Sequence, residues 1–122
     1  MFWNVTEKKV IDINIDHLRE KAKNHIHFML GHPAVKLELD ETQVTYAIDH
    51  AQELIDYDGC YGSEEEYGLL LKDGSLAFAK YMLGRIKTAK PVHPSDEEGG
   101  FELINEGLQG IKNFHNNLDL NV

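Results

Sequence analysis

Cysteine is almost missing from this chain: Cys60 stands alone. No intrachain disulfide can form, which fits a reducing compartment such as the cytosol. Basic charge is scarce as well. Twelve Lys and Arg face 21 Asp and Glu, a net charge of -9, which argues against a general binder of nucleic acid or anionic membrane. Long apolar runs are absent too: none approaches the ~20 residues that a bilayer-spanning helix needs. The opening MFWNVTEKKV lacks the apolar core of a signal peptide. There is no internal repeat and no low-complexity segment. GxGxxG, P-loop, GxSxG and HExxH signatures are all missing, so nothing obvious competes for an enzymatic reading.

What the chain does carry is local instruction for a shape. At 122 residues it has length for one domain, 1–122, and too little for two. Its 42% hydrophobic content supports a modest core and excludes wholesale disorder. The densest stretch is 30–51, LGHPAVKLELDETQVTYAIDHA. A helix stops at Gly31 and Pro33, a short alternating strand or extended connector follows through Val35, Leu37 and Leu39, and a second helix begins. Asp40 is its N-cap and Gln43 its N3 residue, a capping box with Asp in place of Ser or Thr. Leu39 and Val44 flank the box as a hydrophobic staple.

The spacing predicts a first helix over 16–30, capped by Asn14 or Asp16, with Ile15, Leu18, Ala22, Ile26 and Met29 on one face. The second runs over 41–57 with Val44, Ala47, Ile48, Ala51, Leu54 and Ile55 inward. A turn over 58–62 follows, and Ser63 with Glu66 forms another capping box that starts a third helix at Glu64. That helix is expected to break near Asp73 and Gly74, then resume through Ile86 with Leu76, Ala79, Leu83 and Ile86 inward. Pro91 and Pro94 end it. HPSDEEGG over 93–100 reads as a polar loop, Phe101 to Ile104 as a short extended piece, and Asn105 as the cap of a last helix carrying Leu108, Ile111, His115 and Leu118. Gly107 and Gly110 make that helix weak by itself, so packing must hold it. Residues 1–14 and 116–122 are expected to be flexible or docking tails. Phe2 and Trp3 either fold back on the domain or dock on a partner. The expected fold is mainly α, a small four- to five-helix connector-type bundle with a short extended segment before helix two.

Candidate chemistry is thin. Seven histidines suggest metal, but His25 and His27 point about 200° apart on a helix. Only a fold-dependent set of His27, His32 and His50 remains, without ligand spacing on one helix. Glu64, Glu65 and Glu66 suit the positive end of a helix dipole better than a catalytic carboxylate pair. Cys60 has no basic neighbour to activate it. Lys80, Arg85, Lys87 and Lys90 form the most basic stretch, a solvated face, a phosphate contact or a partner for acids of another subunit. Gly84 inside a helix costs up to ~1 kcal/mol relative to Ala, which a close approach of another backbone would explain.

The order of these pieces is similar to a known family. Leu30-Gly31-His32-Pro33 leads through Val35-x-Leu37-x-Leu39 to Asp40-Glu41-Thr42-Gln43 and Ile48-Asp49-x-Ala51. Then come Tyr57-Asp58-Gly59 and a helix reading Gly74-Ser-Leu-Ala-Phe-Ala-Lys80-Tyr-Met-Leu83-Gly84-Arg85-Ile86-Lys87. This resembles the neck or head–tail connector (adaptor) proteins of tailed bacteriophages, closest to neck proteins of contractile-tailed phages. The resemblance covers about 30–90, with a weaker echo at Asn105-Glu106-Gly107. It implies a virion structural protein with no catalytic residues, cofactor or metal. It implies a ring, typically dodecameric, between portal and tail, extending the DNA channel and docking portal, tail or neck proteins. Duplex DNA would pass without specific binding, no membrane would be involved, and the subunit would reside in the host cytoplasm before assembly. Many contractile-tail members are longer, which makes this a minimal version.

An acidic or neutral lumen would let DNA slide, and the net charge is compatible with that. Ring closure needs two complementary patches per subunit. Glu64 and Glu65 at one end of the third helix, and Lys80, Arg85 and Lys87 at the other, are the candidate interface, with Gly84 permitting close approach between subunits. The alternative reading is a small helical regulatory or inhibitory module that binds one protein partner.

Overall fold

The structure, a computed structural model, describes residues 14–31, 39–58, 62–91 and 93–121. Four helices follow in order: α1 (Ile15–Met29), α2 (Glu41–Asp58), α3 (Glu64–Ala89) and α4 (Pro94–Asn121). No strand occurs among the described residues, and the chain is mainly helical. The expected strand through Val35 and Leu37, the turn at Gly59, Cys60 and Tyr61, Pro33, and residues 1–13 with Phe2 and Trp3 lie outside the described residues.

Each start is fixed by a side chain. The Asn14 carboxamide accepts the His17 N–H at 3.1 Å to open α1. At the other end Gly31 takes φ 103°, the left-handed region that spares glycine a Cβ clash, and donates its N–H to the Phe28 carbonyl. Leu18, Ala22 and Ile26 of α1 are buried, as are Val44, Ala47, Ile48, Ala51 and Ile55 of α2. These are the positions that period-3.6 spacing selects. Met29, expected inward, is 50% exposed at the last position of its helix.

The helix α3 is the axis on which α1, α2 and α4 all pack. It runs antiparallel to both α2 and α4. The Tyr67 hydroxyl donates to Asp56 at 2.9 Å, and Phe78 meets the His50 ring edge-on at 4.4 Å. Three expectations are corrected here. First, α3 does not break at Asp73 and Gly74, because the missing Cβ of Gly74 is where the Phe114 ring sits: a Cβ there would lie 2.7 Å from it. Second, Pro94 starts α4 instead of ending α3, since its fixed φ and missing N–H suit a first helical turn. His93 precedes it, and the Asp96 carboxylate accepts the His93 N–H at 3.0 Å. The expected loop at 93–100, the extended piece at Phe101 and the cap at Asn105 are therefore all one helix. Third, residues 116–121 are not a separate tail: α4 continues to Asn121, and Leu118 is 1% exposed within the core.

The α3–α4 crossing is lined by glycine. A Cβ on Gly107 would lie 2.7 Å from the Tyr81 nitrogen, and one on Gly110 2.9 Å from the Ala77 Cβ. The helix-weakening glycines of α4 are thus the residues that let it approach α3, with packing compensating for propensity. Among the described residues Ser75 is the buried polar one, and its hydroxyl is satisfied by donating to the Leu71 carbonyl at 2.6 Å.

Candidate functional site

The capping residues sit as their spacing demands. The Asp40 N–H donates to Gln43 Oε1 at 3.1 Å, and the Gln43 N–H donates to Asp40 Oδ1 at 3.0 Å. Leu39 and Val44 are both buried in the core on either side of this box. At α3 the Glu66 N–H donates to Ser63 Oγ at 3.2 Å, but the Glu66 carboxylate reaches back to the Gly62 N–H, one residue earlier than a regular capping box. These residues set where the helices start.

The expected interface residues separate into used and available. Gly84 is buried, and the backbone it meets belongs to its own chain. A Cβ there would stand 2.7 Å from the Gly100 carbonyl oxygen and 2.8 Å from the Ile104 nitrogen. That corrects the subunit-interface assignment of Gly84: the close approach is real and intramolecular. Lys80 is likewise engaged within the subunit, 3.3 Å from Glu106. Arg85 lies exposed over the Tyr81 ring at 5.6 Å and donates to its hydroxyl. Lys87 is half-buried, whereas Glu64 and Glu65 are exposed. Glu64 accepts the Asn14 N–H at 3.1 Å and so ties the entry of α1 to the start of α3. Glu65 and Arg85 are 20 residues apart on one helix, about 30 Å, so one subunit does not bring these opposite charges together.

Two further cross-helix ties shape the surface. Arg19 of α1 donates to both Gln52 and Asp49 of α2. Lys23 lies 3.0 Å from Glu41, whose hydrogen bond and charge hold the lysine above its ordinary pKa. His25 is pushed below its ordinary value, first by partial burial and then by Lys72, with Asp73 opposing. Among the described residues no three His, Cys, Asp or Glu side chains converge as a metal site. His50 is instead part of a ring series: Tyr46 at 6.0 Å on one side and Phe78 at 4.4 Å on the other.

Two surface hollows stand out. One, of about 540 Å³, is lined by His50, Glu53, Leu54, Asp56 and Tyr57, all of α2. The other, of about 310 Å³, lies between α1 and α3 and is lined by His17, Leu18, Lys21, Glu64, Glu65, Gly68, Leu69 and Lys72. Large apolar side chains are exposed beside both: Tyr57 at 87% and Leu69 at 57%. Sequence reasoning passed over them. Tyr46 and Tyr57 lie off the inward set of α2, and that mismatch was the available signal.

No protein-family model matches the chain, and neither does any curated protein or solved structure. No described helix is long and apolar enough to cross a membrane.

Proposed function

We propose that this chain is a structural subunit of the tailed-phage neck, a head–tail connector that assembles as a ring between portal and tail and extends the DNA channel. The observation that carries this reading is the place of the Gly74–Lys87 run in the molecule. The stretch that resembles connector proteins lies on α3, the helix against which the other described helices pack. Gly74 and Gly84 are the points where α4 crosses it. Its described residues serve packing between helices, which suits a scaffold. A net charge of -9 suits a channel wall that must not hold passing phosphates.

A monomeric protein-binding module is the second reading, favoured by the exposure of Phe28 (74%) and Met29 (50%) side by side at the end of α1. Negative-stain imaging of concentrated purified protein separates the two. Closed rings with an opening wide enough for duplex DNA are expected for the connector. A uniform field of monomers or dimers favours the module.

A further inference from the structure

The two sides of α3 present different surfaces. Leu69 and Phe78 stand nine residues apart on this helix, roughly 180° around it. On the Phe78 side α2 is seated through the His50 ring, and its outer surface displays Tyr57 and the exposed carboxylate of Glu53. On the Leu69 side lies the groove between α1 and α3. Its middle is apolar, with Leu18, Gly68 and Leu69. Lys21 and Lys72 stand toward one end, Glu64 and Glu65 at the other. Among the described residues neither lysine is paired with a carboxylate, and Glu53 is paired with no cation.

The spacings match. Glu53 and Tyr57 are one turn apart on α2, and Lys72, Leu69 and Glu65 follow one another at single-turn steps along α3. Laid antiparallel, α2 of one copy would place Glu53 on Lys72, the Tyr57 ring on Leu69, and the Tyr57 hydroxyl in reach of the Glu65 carboxylate, to which it can donate. A tyrosine buried in a small apolar hollow with its hydroxyl satisfied is a frequent anchor of protein interfaces.

We propose that the outer face of α2 of one copy docks into the α1–α3 groove of the next copy. The two faces are different and lie on opposite sides of one axis, so the contact is head-to-tail and propagates to a third copy. Such a contact closes into a ring when the rotation per subunit divides a full turn. The proposal rests on the ring reading above and names the surfaces that would carry it.

Site-directed crosslinking of the full chain tests it. In a Cys60→Ser background, Tyr57→Cys and Leu69→Cys are combined in one chain and oxidised mildly. A ladder of covalent oligomers is expected from the double variant, with neither single variant giving more than a dimer. Images of the unsubstituted protein at the same concentrations keep the two ideas apart. Rings without a ladder overturn this interface and leave the connector standing. Monomers at every concentration overturn both. A charge test needs no oxidation. Lys72→Glu should raise the concentration for half-assembly about tenfold by setting two carboxylates face to face, and adding Glu53→Lys should restore it. Unchanged assembly of the Lys72→Glu protein overturns the pairing.

Discussion

At Gly84 an added Cβ would stand 2.7 Å from the Gly100 carbonyl oxygen, and at Gly99 nothing lies within 4 Å. The same substitution therefore has opposite signs at the two positions. Gly84→Ala should destabilise by about 2–3 kcal/mol, because backbone atoms cannot yield without parting α3 from α4. Gly99→Ala should stabilise by up to ~1 kcal/mol by lowering the entropy of the unfolded chain. Urea unfolding followed by circular dichroism reads both; equal effects would show that the crossing is looser than described. A third residue gives a pH dependence. Burial and Lys72 hold His25 below its ordinary pKa of 6.5. The unfolded state then binds more protons than the folded one just below pH 6.5, so stability rises with pH through that window and levels off above it. His25→Gln should flatten the slope on the acid side of its ordinary pKa of 6.5, measured as the difference from the parent protein so that the other histidines cancel.

The helices themselves divide by how locally they are determined. The start of α2 depends on two reciprocal hydrogen bonds and a staple, all within six residues. Asp40→Ala should cost about 1 kcal/mol. Adding Gln43→Ala should cost less than it does alone, since the box is already broken. Such a start is legible in sequence because every partner is a near neighbour. The opposite holds for α4, whose glycines and polar first turns read as loop. It becomes helical because Gly100, Gly107 and Gly110 fit against α3 and because Phe114 and Leu118, each 1% exposed, are buried in the core. Phe114→Ala should cost about 3–5 kcal/mol, with the loss of helical signal in thermal melts extending over the whole protein if α4 is an integral part of the fold. Gly74 misleads in the same way: taken alone it breaks a helix, and against the Phe114 ring it permits one.

For the molecule as a whole, the proposed assembly depends on surfaces no single helix reveals. Tyr57 and Leu69 are exposed on different elements, and only packing around α3 sets them on opposite sides. Reduced association in high salt is expected if Glu53 and Lys72 meet across copies, since the screening length falls from about 8–10 Å at ordinary ionic strength to about 3 Å at 1 M. Sedimentation at increasing salt checks this, and association that strengthens with salt would point to a wholly apolar contact. The residues by themselves determined the helical class, most of the inward faces of α1 and α2 and the caps at Asp40 and Ser63, and narrowed the cap of α1 to Asn14 or Asp16, because those are set by spacing and by partners within one turn. Tertiary structure alone decided that α3 is unbroken, that α4 begins at Pro94, and that Gly84 faces its own chain. Each of these depends on an atom far away in sequence filling, or refusing, the space a side chain would take.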